Sequence, residues 1–331
     1  MKNLFSVFLL FSLKTTLLSA GASDIRIAKF HDDKAAAISY TFDDGLRDQF
    51  EIAAPMLDAH GIHATFFIIT KPVAKTPEEG RACPPGKFGG ISWPELKDLS
   101  ERGHEIANHT WTHRDFRRIP WQEVRPELDL ADQDIRTHLG FAPLTVAYTA
   151  NSFFDEARKE ALRYHLADRT FQTAFGGPKF TEADADKWLD ETLRDRKWSV
   201  AMIHGIVQGF YPFTDPQILA HHLDYAVKFR DRLWIDTFVA VANYVRTRDA
   251  SRLTVTSAKK GEATFILTAD LPPSSAGVVF PHADLTVVIP VPGAHEATAL
   301  RDGKPLQARV TDDRILVSAK PDPEPVTVRW K

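Results

Sequence analysis

The chain has 331 residues, with 41 Lys and Arg against 44 Asp and Glu and a formal charge of −3. That balance offers no basic footprint for nucleic acid, and a single cysteine, Cys83, excludes an intrachain disulfide. The length exceeds one typical core, so two domains are expected.

In chain order, the first feature is a targeting segment. Lys2 gives a positive start, Leu4 to Leu13 a short apolar core, and Ala20-Gly21-Ala22 an A-x-A cleavage pattern. The apolar core is too short to span a bilayer comfortably. Residues 1–22 are therefore expected to be a signal peptide, removed on export to the periplasm or the medium. No cysteine stands at the cleavage point to carry a membrane anchor.

Between residues 23 and 249, short apolar runs recur near 35–42, 64–69, 104–108, 143–148, 164–168, 198–204 and 232–237. Helical patterns lie between them, as at Phe50 to His60, Trp93 to Arg102, Trp121 to Leu139 and Pro216 to Arg230. Alternating strands and helices predict a parallel α/β sheet. After Arg248 the pattern changes to short alternating strands, such as Ala263 to Leu267, Leu285 to Ile289 and Arg314 to Val317, separated by turns that include Asp302-Gly303. Residues 250–331 read as a small all-β sandwich. It shows no row of aromatic residues for binding, which favours an accessory role.

Three places carry chemistry. Asp43 and Asp44 follow the apolar run Ala35 to Phe42 and precede Gly45. Neighbouring side chains at a strand's end point to opposite faces, so one carboxylate can bind a cation while the other stays free beside it. An Asp-Gly pair is also an ordinary turn signal. His109 and His113 stand four apart, the spacing that a helical turn places on one face. Two imidazoles and a carboxylate form a donor set suited to zinc, cobalt or nickel, with positions left for water. His204, at the end of the apolar run Trp198 to Ile203, occupies the strand end where barrel enzymes keep their chemistry.

Together these segments resemble a polysaccharide deacetylase of the NodB-homology type, carbohydrate esterase family 4. Thr41-Phe42-Asp43-Asp44-Gly45 matches one motif of that family and His109-Thr110-Trp111-Thr112-His113 another, while Ile203-His204 falls at its late strand-end histidine. The resemblance covers roughly residues 34 to 247. It implies a distorted (β/α)7 barrel and a divalent metal, most often zinc, held by Asp44, His109 and His113. It also implies Asp43 as general base toward a water on the metal, His204 as general acid, and an acetylated polysaccharide or oligosaccharide as substrate. The family's third motif carries an Arg that orients the catalytic Asp; here Ala147 stands at that place, in Val146 to Ser152, and Tyr148 is expected to line the site. Trp234, in Leu233 to Thr237, is a further candidate for touching substrate, and Asp190 and Asp195 are candidate partners of His204. Two alternatives stand beside the deacetylase: a carbohydrate-binding protein that has lost turnover, and a small-amide hydrolase of the allantoinase-like type.

Overall fold

The computed structural model describes residues 24–82, 88–311 and 313–331. The signal-peptide reading and Cys83 lie outside the described residues.

The strands of the first region are β1 (Arg26–Ile27), β2 (Ala36–Asp43), β3 (Thr65–Ile68), β4 (Glu105–Asn108), β5 (Thr145–Ala147), β6 (Ala167–Arg169), β7 (Thr173–Ala174), β8 (Trp198–Ile203) and β9 (Leu233–Ile235). The helices are α1 (Ala54–Ala59), α2 (Pro77–Arg81), α3 (Trp93–Glu101), α4 (Trp121–Leu139), α5 (Asp155–Ala161), α6 (Glu182–Asp195), α7 (Gln217–Val227) and α8 (Phe238–Asp249). Strands β2 to β9 form one parallel sheet in the order β6-β5-β4-β3-β2-β8-β7, and β9 also pairs with β2. β2 lies at the centre and every one of its residues is buried, as expected of a parallel strand covered on both faces.

The sheet must curl. Its two edge strands, β6 and β7, are consecutive in the chain, and Arg169 to Thr173 is only four Cα steps. Those steps reach at most ~15 Å, so the edges approach each other and the sheet closes toward a distorted barrel. Apolar side chains on the sheet and helices, among them Phe42, Phe66, Leu96, Leu189 and Leu219, form the main core. The carboxyl ends of β2, β4 and β8 then converge at one mouth of the barrel.

The C-terminal strands are β10 (Ser251–Lys259), β11 (Glu262–Ala269), β12 (Leu285–Pro290), β13 (Ala297–Arg301), β14 (Lys304–Leu306), β15 (Ala308–Thr311), β16 (Arg314–Ala319) and β17 (Asp322–Trp330). They form two antiparallel sheets, β10-β11-β17-β13-β14 and β1-β12-β16-β15, around a shared core that includes Phe265, Leu267, Val287, Ile315 and Val328. Asp302 and Gly303 join β13 to β14 with φ of +48° and +71°, the two positive values that a tight hairpin turn requires. One difference from the expected boundary is clear. Arg26 and Ile27 pair with Val288 and Val287, so the segment before the barrel belongs to the C-terminal sheets.

Candidate metal centre and active site

Asp43 is the last residue of β2 and Asp44 the first of the turn, with φ of +78° followed by Gly45 at +74°. A left-handed conformation is strained for most residues, and Asp tolerates it better than bulky ones do. The bend turns the Asp44 carboxylate toward the histidines. Asp44, His109 and His113 each offer one ligand atom, and these atoms lie within 4.8 Å of one another. His113 Nε2 is 3.2 Å from Asp44 Oδ1 and His109 Nε2 is 3.5 Å from it.

The segment carrying the two histidines is not the expected helical turn. Residues 109–113 form a loop in which Thr110 and His113 have φ of +69° and +62°. Its amides find side-chain and loop acceptors instead of helical carbonyls. Thr110 N donates to Asn108 Oδ1 at 2.7 Å, Trp111 N to the Glu127 carbonyl at 2.9 Å, Thr112 N to Glu127 Oε2 at 2.8 Å, and His113 N to Thr110 Oγ1 at 3.1 Å. The histidines still converge, through loop geometry held by β4 and α4.

The donor chemistry fits a divalent cation. His109 Nδ1 lies 2.8 Å from the Ala147 carbonyl, which can only accept, so Nδ1 carries a proton; Nε2 faces Asp44, as a donor when the ring is charged and as a lone pair for a cation when it is neutral. Asp44 Oδ1 is itself buried and takes no hydrogen bond among the described residues. A buried orphan oxygen is costly unless something positive satisfies it. Burial favours the neutral acid at Asp44, but His109 and His113 outweigh it and hold the carboxyl well below its usual range.

Asp43 has a different partner. Arg169, at the end of β6, reaches across the barrel interior and binds it through both nitrogens, Nη1 to Oδ1 at 2.7 Å and Nη2 to Oδ2 at 2.5 Å. Nη1 also donates to Thr41 Oγ1 at 2.7 Å, and the guanidinium lies over the Phe67 ring at 4.8 Å. Both members of the pair are buried. Burial pushes the Asp43 carboxyl up, yet Arg169 and His109 hold it below the ordinary carboxylate value. The arginine absent at Ala147 is thus replaced from the neighbouring strand. Sequence reading missed it because it sought the arginine after β5; its one local signal is a position at a strand's carboxyl end.

His204 follows β8 directly and lines the same pocket. Gln49 ties the two strand ends together, its Nε2 donating to the Asp43 carbonyl and to the His204 carbonyl. Beyond it, Asp48 Oδ2 accepts from the amides of Ile206, Val207 and Gln208 at 2.7, 2.8 and 3.1 Å. Neither Asp190 nor Asp195 is the partner of His204: Asp190 accepts from the Tyr225 hydroxyl, and Asp195 pairs with Arg194 and Lys197.

The pocket has a volume of about 340 Å³ and brings together Asp43, Asp44, His109, His113, Tyr148 and His204, with Ala150, Asn151, Met202 and Phe210. Tyr148 is present as a wall. Its hydroxyl donates to Asp168 Oδ2 at 3.0 Å, and burial together with Asp168 pushes its pKa up. Trp234 is not brought to this site. Its register neighbour is Ala37, near the start of β2 and away from Asp43, and its ring packs on Tyr244 at 5.4 Å and His31 at 5.6 Å beside the C-terminal core.

The family model for polysaccharide deacetylase matches residues 31–167. That stretch is similar to the polysaccharide deacetylase family. The deacetylase match takes in Asp43, Asp44, His109, His113 and Tyr148 and stops short of Arg169 and His204. A gellan lyase from Bacillus sp. is 23% identical over 352 aligned residues, covering 92% of this chain and 13% of the relative. A chitooligosaccharide deacetylase from Bradyrhizobium sp. (strain ANU 289) is 32% identical over 106 residues, 30% of this chain and 39% of the relative. The chain therefore spans well under half the length of these curated relatives. A solved structure from Mycobacterium smegmatis, described as a candidate polysaccharide deacetylase, aligns with a TM-score of 0.51 and 14% identity. It covers 67% of this chain and 93% of that one, a likeness of fold alone.

Proposed function

We propose that the chain is an exported, cation-dependent hydrolase that removes acetyl groups from a polysaccharide or oligosaccharide. The observation that carries this reading is Asp43, a buried carboxylate left out of the ligand triad, clamped by Arg169, and lining the same pocket as that triad. A protein that only bound carbohydrate would need no such second carboxylate. A divalent cation at Asp44, His109 and His113 would supply Lewis acidity toward a carbonyl oxygen and toward water. The donor set suits zinc, with cobalt and nickel as alternatives.

The chain's own groups divide the proton work. Asp43, oriented through both oxygens, takes the proton of the attacking water. His204 gives a proton to the departing amine or hydroxyl. Ala150, on the pocket wall with φ of +51°, offers its main-chain amide to the oxyanion, a role that needs no particular side chain. The bond cleaved is an N-acetyl amide or an O-acetyl ester. A carbohydrate substrate is supported by the relatives, whose names refer to chitooligosaccharide and gellan. Export is supported by Lys2, the apolar run Leu4 to Leu13 and the Ala20-Gly21-Ala22 pattern. Among the described residues no helix is long and apolar enough to cross a membrane. The C-terminal sheets act as an accessory that packs on the barrel.

The reading of the fold as a binding protein without turnover rested on the missing arginine at Ala147, and Arg169 removes that support. The test is acetate release from N-acetylated chitooligosaccharides and from acetylated xylan, with zinc or cobalt restored after chelation. Asp43→Asn should lower turnover by about 10²- to 10⁴-fold while bound metal stays stoichiometric. Undiminished release by Asp43→Asn removes the base assignment. No release from either glycan by a metal-loaded wild type turns the reading toward binding alone.

A further inference from the structure

The ladder between β2 and β8 ends at the pair Phe42 and Ile203, so Asp43 and His204 stand one residue past its last rung. There a side chain takes over from the backbone. Gln49 Nε2 donates to the Asp43 carbonyl at 2.5 Å and to the His204 carbonyl at 2.7 Å. Carbonyl oxygens only accept, so the amide nitrogen must face them, and its two protons serve one carbonyl each. Gln49 is fully buried. It opens a single π-helical turn, Gln49–Ala53, a winding that is rare and gathers at functional sites.

The two residues joined in this way are held very differently. Arg169 fixes the Asp43 carboxylate through both oxygens. The His204 ring has no such clamp. It meets the Phe210 ring edge to face at 5.2 Å, and among the described residues neither an ion pair nor a hydrogen bond reaches it. Its place is therefore set by its backbone. After His204 the chain doubles back so tightly that a Cβ on Gly205 would stand 1.3 Å from the Gln208 carbonyl oxygen, which reserves the position for glycine. Asp48, also buried, holds the returning amides of residues 206–208. Asp48 and Gln49 are neighbours, so one short segment after β2 grips the chain on both sides of Gly205.

We propose that Gln49 is a positioning residue for His204. By bridging the two carbonyls it sets how far the proton-donating ring stands from the proton-accepting carboxylate across the pocket, and Asp48 backs it by fixing the turn that follows. The roles of acid and base rest on the deacetylase reading; the tether itself does not. Asp43 keeps its orientation from Arg169 when the tether is lost, so the loss falls on protonation of the departing group and spares the attack by water.

The test compares two reactions of the metal-loaded protein. One is acetate release from the glycan that the wild type deacetylates. The other is hydrolysis of 4-nitrophenyl acetate, whose phenolate leaves without a proton from the enzyme. Gln49→Met keeps the length of the side chain and removes its donors. With metal still stoichiometric, its kcat on glycan should fall about 10- to 100-fold at little change in KM, and its kcat on the aryl ester by less than about threefold. His204→Ala should show the same selectivity more strongly. Gln49→Glu, whose carboxylate donates to neither carbonyl, carries the same expectation and serves where Gln49→Met does not fold. Equal losses on the two substrates, or no loss on either, overturn the positioning role and leave the deacetylase reading in place. If the wild type releases no acetate from glycan, that reading fails, and the tether is followed through the imidazole NMR signals of His204, identified by their loss in His204→Ala. Displacement of those signals in Gln49→Met then supports the positioning role, and unmoved signals overturn it.

Discussion

Both oxygens of Asp43 go to one guanidinium, so a single partner fixes the orientation of the carboxylate and favours its charge. On the proposed mechanism Arg169→Ala should therefore lower kcat by about 10²- to 10³-fold with little change in KM, because it would disorient the carboxylate assigned to the reacting water and leave sugar contacts intact. Burial alone favours the protonated acid here, and Arg169 is the largest influence opposing it. Without the arginine the Asp43 pKa rises, and the acid limb of kcat/KM should move to higher pH. Arg169→Lys should restore little, since an ammonium cannot reproduce two parallel hydrogen bonds. Added guanidinium should restore activity to Arg169→Ala in part. A pH profile that stays in place in Arg169→Ala would remove this role. The aspartates and histidines were legible in the sequence because each motif is local. Arg169 was not, because 126 residues separate it from Asp43 and only the curl of the sheet brings β6 opposite β2.

At the level of elements, the apolar runs marked seven barrel strands within a few residues, since burial on both faces leaves a continuous apolar signature. β7 left none, its two residues being exposed. The loop of His109 and His113 departs from a helical turn for a related reason: its conformation depends on Glu127, an acceptor 15 residues away from Thr112 that no spacing rule within five residues can include. Asn108 is held in turn by Asp132 of α4 at 2.6 Å, and Asp132 accepts from His165 Nε2 at 3.0 Å while His165 Nδ1 faces the Ala161 carbonyl at 2.8 Å. Burial lowers the His165 pKa, but Asp132 and the Ala161 carbonyl outweigh it and raise it above the ordinary 6.5. A group with a raised folded pKa stabilises fully below its unfolded pKa, and that stability is lost as pH rises through the folded value. The unfolding free energy of wild type minus that of His165→Gln should therefore be largest between about pH 5 and 6.5 and shrink above it. Urea titrations across that range check the sign, and a difference that grows with pH would exclude a charged His165. Because Asn108 supports the histidine loop, Asp132→Ala should also weaken metal binding by about 10- to 100-fold.

Across the whole molecule, the C-terminal sheets and the barrel meet through buried contacts that neither region can satisfy alone. Tyr244 of α8 is buried in the C-terminal core; its hydroxyl donates to the Ala28 carbonyl at 3.0 Å and accepts from Thr286 N at 3.3 Å. Ala28 N donates to the Thr286 carbonyl at 2.8 Å, next to the pairing of β1 with β12. The ion pairs beside this seam, Arg26 and Arg314 with Asp33, have half-exposed arginines and contribute little by comparison. The sequence marks a change of character near residue 250, where α8 ends and β10 begins, yet it could not show the chain crossing back, since a two-residue strand such as β1 has no period to read. A seam of this kind couples the two regions, because unfolding one strips acceptors and apolar cover from the other. Calorimetry should accordingly give one cooperative transition. Tyr244→Phe leaves the Thr286 amide and the Ala28 carbonyl short of a partner, at about 1–3 kcal/mol, so it should lower that single transition as a unit. Two transitions, with Tyr244→Phe moving only one of them, would mean that the C-terminal sheets are tethered to the barrel and lend it no stability.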